Sequence, residues 1–520
     1  MLGATAGIVT SVTMLALASP GMQPTVGCAT HVVTKGKVAY PHERTIQAAV
    51  NRAKPCDWIM VGPGIYPESV VIRTPNLHLR GLDRNRVVVD GRHRRSVNGI
   101  EVRASDVWVE NLTVRNFDRA TANGENGNQV WWHGAGGWHG NYLTVYDTGL
   151  LGGYGLFAEG SVSGEWGHVY ASGFDDSGLY IGSCRDCLAT VSHALAERNP
   201  VGYAGTNSGG HLVLEDSLFR NDAVGISLNS SESDPPPPQL GTCDAGANRR
   251  PMPTITSTAI GRCTIVRRNR FVSNNNLTVP SNTSSERPGW GIGIVLLGAY
   301  GDLVTGNVLA GNRNAGILGL EFPWWRPARR RALHFQLAGN RIERNAISGS
   351  RLGIAIEGGV FGSKRSVDNC FSENRYRRSL PVDLRPFACT KATTPNPGTA
   401  ANRRILRLVG TLHREFLARR VHEQPAPPPQ PTMTNPCSGA PSNPLCHAAS
   451  ESGSGANRPA AKRTGPAAAL TDRAASGSAS SCRGVQCSPY SSRSRPGRRP
   501  AVASRCAGTS TRIGAGRSAA

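Results

Sequence analysis

The sequence predicts an all-β protein: a solenoid of short strands wound into stacked coils, opened by a short capping helix and closed by a disordered basic tail. Three observations carry this reading. The 520 residues include 61 Gly and 35 Pro with only 6% aromatics, a composition suited to turns rather than packed helices. Glycine followed by an apolar residue recurs at Gly155, Gly178, Gly202 and Gly225, in steps of 23, 24 and 23, and again at Gly293 and Gly316, 23 apart. The formal charge of +23 is unevenly placed: residues 391–520 hold 19 basic and 4 acidic residues, which leaves the first 390 at +8. A strongly basic balance implies an acidic partner, but here that signature belongs to the tail and gives the body no specific affinity for nucleic acid.

Residues 1–27 read as a secretory leader. The apolar run Ile8–Leu17 ends in Ala16-Leu17-Ala18 before Ser19-Pro20, a small-residue cleavage pattern, although no Lys or Arg precedes it. At about ten residues the run is too short to span a bilayer, and no other stretch is a transmembrane candidate. Thirteen cysteines also fit an oxidising compartment.

Residues 28–75 form a cap and first coil. Ile46, Ala49, Val50 and Ala53 share one face of a short helix that Pro55 stops. The apolar strand Asp57–Val61 then runs into the turn Gly62-Pro63-Gly64. From 76 to 390 short strands alternate with single turns. Gly99 and Gly127 extend the glycine series upstream, and Gly353 extends it downstream after an insertion around Phe322–Arg331. A second strand set lies between the glycines, as in Asn111–Val114, Tyr142–Val145, Ser217–Phe219 and Asn340–Ile342. A period of this length built from strands means coils that cannot bury an apolar face alone and must stack. Asp175, Asn199 and Asp222 each stand three residues before a glycine, where their side chains can bond to neighbouring turns.

Residues 391–446 combine an amphipathic helix over 403–421, with Ile405, Leu408, Val409, Leu412 and Phe416 on one stripe, and a Pro-rich linker from Pro425 to Pro436. The helix is expected to cap the last coil. Residues 447–520 carry +10 with no Phe or Trp and cannot form a core; they read as a disordered tail or as the product of a shifted reading frame.

Thr45–Val50 through Val61–Tyr66, followed by these repeats, closely resembles the right-handed parallel β-helix of the pectate-lyase-like superfamily, over about residues 40 to 390. The superfamily includes lyases, hydrolases, epimerases, copper-site accessory proteins of the NosD type and proteins without known activity. The resemblance therefore implies the fold and leaves the function open.

In such a helix the residue after each glycine points inward and the next outward. Ile100, Val102, Val130, Leu156, Leu179, Ile181, Ile226 and Leu228 form a consistent apolar inner set. The outer column then reads Glu101 and Arg103; Gln129, Trp131 and His133; Phe157 and Glu159; Tyr180; and Thr206, Ser227 and Asn229. Trp131, Phe157, Tyr180 and Arg103 are candidates to hold a polysaccharide, and Glu159, His133, Glu101 and Asp176 candidates for proton transfer. Glu101 and Glu159 are the one outward carboxylate pair that would suit hydrolysis. The competing reading is that these side chains only solvate a strand face.

No cofactor is expected, although a lyase would bring Ca²⁺ with it. His133, His139 and His168 lack metal-ligand spacing. Cys184 and Cys187 read as a local disulfide or two thiols on a turn, and Cys28 with Cys56, Cys370 with Cys389 and Cys437 with Cys446 as closures near the solenoid ends. The leading expectation is a secreted protein that binds a polysaccharide and cleaves or epimerises it. A non-catalytic scaffold and an accessory role in copper-enzyme maturation stand as alternatives.

Overall fold

A computed structural model describes residues 27–447, except 122–125, 161–162, 185–186, 231–263, 281–288, 323–334, 336, 358–368 and 390–398. The leader, most of the Phe322–Arg331 insertion and the basic tail beyond His447 lie outside the described residues.

Strands pair in three parallel sheets of 12, 11 and 10 strands, and each strand's neighbours lie mostly three elements away in the chain. That pattern is a right-handed parallel β-helix. Ten complete coils contribute one strand to every sheet. The predicted inner set is the core: Ile100, Val102, Val130, Leu156, Leu179, Ile226 and Leu228 are fully buried in one continuous apolar cluster.

The glycine column has a steric cause. A Cβ on Gly155 would overlap the carbonyl oxygen of Gly178, and one on Gly225 that of Gly293. On Gly293 it would stand 2.8 Å from the Gly316 oxygen, and on Gly316 2.6 Å from the Gly353 oxygen. Each glycine lets the next coil approach at strand spacing. Gln129 corrects the outer column. It aligns with Gly99 and Gly155 and turns inward, fully buried; its amide bonds the Phe117 N–H and the Phe117 and Gly127 carbonyls. Two successive residues face inward at this corner, so simple alternation fails there.

The polar corners are ladders. The Asp222 carboxylate accepts from Asn199 N at 2.8 Å, Asn274 Oδ1 accepts from Asp222 N at 3.2 Å, and Asn312 Oδ1 from Asn274 N at 3.0 Å. A second ladder runs Asn269, Asn307, Asn345 and Asn374. Buried backbone N–H groups at the turns thereby find partners. Asp175 instead faces the buried guanidinium of Arg119 at 3.4 Å.

The N-terminal helix α1 (Ile46–Arg52) starts at Thr45, whose hydroxyl accepts from Ala48 N, while the Glu68 carboxylate accepts from Ile46 N and Gln47 N. Its buried face of Ile46, Ala49 and Val50 closes the first coil. At the other end Leu384 and Phe387 close the core, beside the Cys370–Cys389 disulfide. Disulfides also join Cys28 to Cys56, Cys184 to Cys187 and Cys437 to Cys446.

The C-terminal region differs from expectation. Helix α2 (Thr399–Leu417) lies alongside the solenoid rather than over its end. Ile405, Val409, Leu412 and Phe416 pack with Val295, Leu297, Leu318 and Ala355 on the outer face of the 11-stranded sheet. The Pro-rich stretch is a docked strap rather than a linker. It leaves α2 at Thr278, whose carbonyl accepts from His422 N and Gln424 Nε2, and passes Arg198 at Pro425. Gln430 and Asn85 exchange hydrogen bonds, and Asn111 Oδ1 accepts from Thr432 Oγ1 and Met433 N. Arg80 then donates to Ser438 O at 2.6 Å, and Leu445 packs on Val32, Trp58 and Met60 of the first coils. Proline-rich chain has little conformational freedom to lose and few N–H groups to satisfy, which suits an extended strap.

Candidate functional site

The predicted outer column assembles on the 11-stranded sheet. Trp131 pairs in register with Glu101 and Phe157, Phe157 with Tyr180, and His133 with Glu159. The Trp131 ring stacks on His133 at 3.9 Å and on Phe157 at 5.2 Å, and Phe157 meets Tyr180 edge-on at 5.0 Å. The rings point away from the solenoid core but are not open to solvent: Trp131, Phe157 and Tyr180 are 7%, 6% and 7% exposed. They belong to the apolar cluster that α2 also joins. An open aromatic platform is therefore replaced by a packed one, with His133 and Arg103 exposed beside it.

Glu101 is held by Arg103 and His133. Arg103 Nε donates to Oε1 at 2.7 Å, and His133 Nδ1 stands 3.1 Å from the same oxygen. Burial pushes this carboxyl upward, but the hydrogen bonds from Arg103 and His133 outweigh it and hold Glu101 below the ordinary range. An ionised, saturated carboxylate orients its neighbours and has no proton to give. Glu159 is half-buried on the next coil, and Asp176 is half-buried beside the Arg119–Asp175 pair.

A second row lies on the 12-stranded sheet. Trp58, His78, Trp108 and His139 stack at 4.0, 5.4 and 3.7 Å, and His139 Nδ1 meets the Glu165 carboxylate at 3.1 Å. Burial, with Arg80 and His139 nearby, lowers the His78 imidazole to about 4 and keeps it neutral. His168 stacks between Tyr142 and His193. The three histidines considered for metal are thus on separate rows.

The arrangement with the clearest acid–base character was not singled out from sequence: His93, Asp118 and Asp147. The strand Val87–Arg95 carries a register shift between Asp90 and Arg94, and Arg92 and His93 hold φ of 51° and 58°. Left-handed backbone at two successive non-glycine residues is uncommon, and such strain concentrates at functional positions. The bulge carries His93 to the ends of the next two coils. Its Nδ1 lies 3.3 Å from Asp118 Oδ2 and 3.7 Å from Asp147 Oδ1, and its Nε2 lies 3.3 Å from Thr148 Oγ1.

Asp147 is fully buried. Its Oδ2 accepts from Gly152 N at 2.9 Å, while Oδ1 has no hydrogen-bond partner. Burial, then the neighbouring Asp118 carboxylate, pushes Asp147 up to about 7. Burial also raises Asp118, against the opposing pull of His93. Two carboxyls this close behave as one pair that keeps a proton near neutrality. The His93 ring is 43% exposed and faces a cleft of about 900 Å³, bounded by Arg95, Thr148–Leu151 and strap residues Glu423–Ala426. Ligand atoms of the three residues lie within 4.8 Å of one another. An imidazole and two carboxylates do not match the six to eight oxygen ligands that Ca²⁺ takes, so this cluster does not fit the Ca²⁺ a lyase would bring. The sequence signal available was the pair of acids at the ends of consecutive second-set strands, Asp118 closing Thr113–Asp118 and Asp147 following Thr144–Tyr146; His93 required the bulge.

No protein-family model matches the chain, and no curated protein sequence does. Among solved structures, the A-module of mannuronan C-5 epimerase AlgE4 from Azotobacter vinelandii aligns at 13% identity over 64% of this chain and 90% of its own, with a TM-score of 0.42. Alginate lyase from a Paenibacillus species aligns at 12% identity over 67% and 99%, TM-score 0.30. Pectate lyase Pel9A aligns at 10% identity over 68% and 78%, TM-score 0.35. Among the described residues no helix is long and apolar enough to cross a membrane.

Proposed function

We propose that this β-helix protein binds a polysaccharide along its outer surface and modifies it by proton transfer at His93, outside the reducing cytosol. The observation that carries the reading is a half-exposed imidazole in a cleft, with its inner nitrogen against two buried carboxyls that retain a proton near neutrality. His93 is the group that reaches a substrate. Asp118 fixes the ring orientation, and Asp147 supplies and accepts the proton behind it; both are positioning residues in the sense of a base oriented by a third group. This constellation serves removal of a proton from a sugar carbon or its delivery to a leaving oxygen, the step shared by elimination, epimerisation and hydrolysis. Four disulfides among the described residues fit an exported protein. The Glu101–His133 row serves binding under this reading, because Glu101 is saturated by Arg103 and His133.

The test screens the full chain against neutral and acidic polysaccharides for unsaturated products, new reducing ends and solvent deuterium at sugar carbons. His93→Gln should lower turnover by about 10²–10⁴-fold without shifting the melting temperature. Turnover that survives His93→Gln and vanishes in Glu159→Gln would move the chemistry to the Trp131 row. Binding without turnover on any polysaccharide would make the protein a non-catalytic binder.

A further inference from the structure

Many arginines along the sheets are matched by carboxylates. Arg80 pairs with Glu110, Arg103 with Glu101, Arg115 with Asp90, Arg220 with Glu197, Arg267 and Arg268 with Glu215, and Arg341 with Glu343. Where the last coil meets α2 the pattern breaks. Arg351, Arg377, Arg378, Arg404 and Arg407 converge on a cleft of about 730 Å³ that no Asp or Glu lines. All five are exposed, and none makes an ion pair among the described residues. Beneath them lie half-buried Tyr376 and the aliphatic side chains of Leu352 and Leu408.

We propose that this arginine cleft is a second binding site, specific for a carboxylate-bearing polysaccharide. Five like charges around one concavity repel one another, and a bound polyanion relieves that repulsion. Guanidinium groups recognise carboxylates through paired N–H donors, which a single lysine charge would not do. The floor fits the faces of sugar rings: one tyrosine and aliphatic carbon. Single-stranded nucleic acid needs successive aromatic platforms for its bases, and this cleft has a single ring. Two arginines stand on α2 and the others on the last coil, so the site depends on how α2 docks. It lies about eight coils along the solenoid from His93, on the order of 40 Å at strand spacing. The site therefore holds a long chain remotely and takes no part in proton transfer.

The experiment measures calorimetric binding of a hexameric uronic-acid oligosaccharide to the full chain at low salt. Arg404→Glu with Arg407→Glu should weaken binding at least tenfold. Arg73→Glu with Arg86→Glu, exposed arginines on the first coils, is the charge-matched control and should change it less than twofold. The fully methyl-esterified hexamer, which is neutral, should bind at least tenfold more weakly than the acid. The Arg404→Glu/Arg407→Glu pair should weaken hexamer binding whether or not the chain turns the hexamer over, so a failed catalytic reading and a failed binding reading are separable. Equal losses in the two charge-reversal pairs would overturn the proposal, as would equal affinity for the esterified hexamer. Full displacement of the hexamer by a single-stranded DNA 12-mer, itself weakened by the α2 pair and not by the control, would reassign the site to nucleic acid.

Discussion

Replacing Asp147 with Asn tests the proton-holding pair directly, because it fixes the neutral form in a side chain of the same shape. The buried carboxyl moves from an ordinary 3.8 to about 7, a span worth about 4 kcal/mol of preference for the neutral form. The folded chain therefore keeps a proton that the unfolded chain releases. This contribution to stability is fully present below about pH 4 and is lost as pH rises through 7. The variant cannot ionise and escapes the loss. It should match the parent near pH 4 and exceed it by roughly 2–4 kcal/mol at pH 8, the lower figure allowing for the share of the proton that Asp118 takes. For roughly 340 described residues that gain corresponds to about 3–6 °C. Urea unfolding followed by circular dichroism at pH 4.5 and pH 8 gives the difference at each. A stability difference that is the same at both pH values, or a variant that is weaker at pH 8, would mean that Asp147 is an ionised structural acceptor and would end the shared-proton argument.

Two further outcomes follow from packing. Gly225→Ala places a methyl against the Gly293 carbonyl and 2.8 Å from the Phe271 ring, and should cost about 1–3 kcal/mol; Gly410→Ala on α2, where the nearest atom is 3.6 Å away, should instead stabilise by about 0.5–1 kcal/mol. Equal effects in thermal melts would remove the steric account of the glycine column. Ending the chain after Leu417 removes the strap, uncovers Trp58 and Met60 and opens one wall of the His93 cleft. The melting temperature should fall by several degrees and an apolar dye should bind, while an unchanged melt would show that the strap contributes nothing to the solenoid.

What was legible from sequence was whatever repeats. The glycine steps register coil on coil, because one steric condition, a Cβ colliding with the next carbonyl, recurs at Gly155, Gly225, Gly293 and Gly316. The inner and outer assignment of Glu101, Trp131, Phe157 and Tyr180 followed from strand alternation alone. Gln129 was misplaced because the corner turns two residues inward, a local geometry that alternation does not contain. The accessibility of Trp131 was misjudged for a different reason. The His133 ring stacks on it and Phe157 of the next coil packs against it, and alternation places side chains on a face without fixing how far their rings cover one another.

The same reasoning explains why the acid–base cluster stayed hidden. A solenoid's stability is close to a sum over neighbouring coils, and any residue that repeats is there to satisfy that sum: the Asn ladders, the glycines, the inner valines. His93 repeats nothing. It sits on a bulge in left-handed backbone, costs the fold local strain, and points at two carboxyls that burial prevents from both ionising. The strap is equally aperiodic, yet it links the last coils to the first through Thr278, Asn111 and Arg80 and runs past the cleft at Glu423–Ala426. Fold is therefore written in the repeats and chemistry in the departures from them: the bulge at His93, the arginine cleft at α2, and the strap that bounds the His93 cleft.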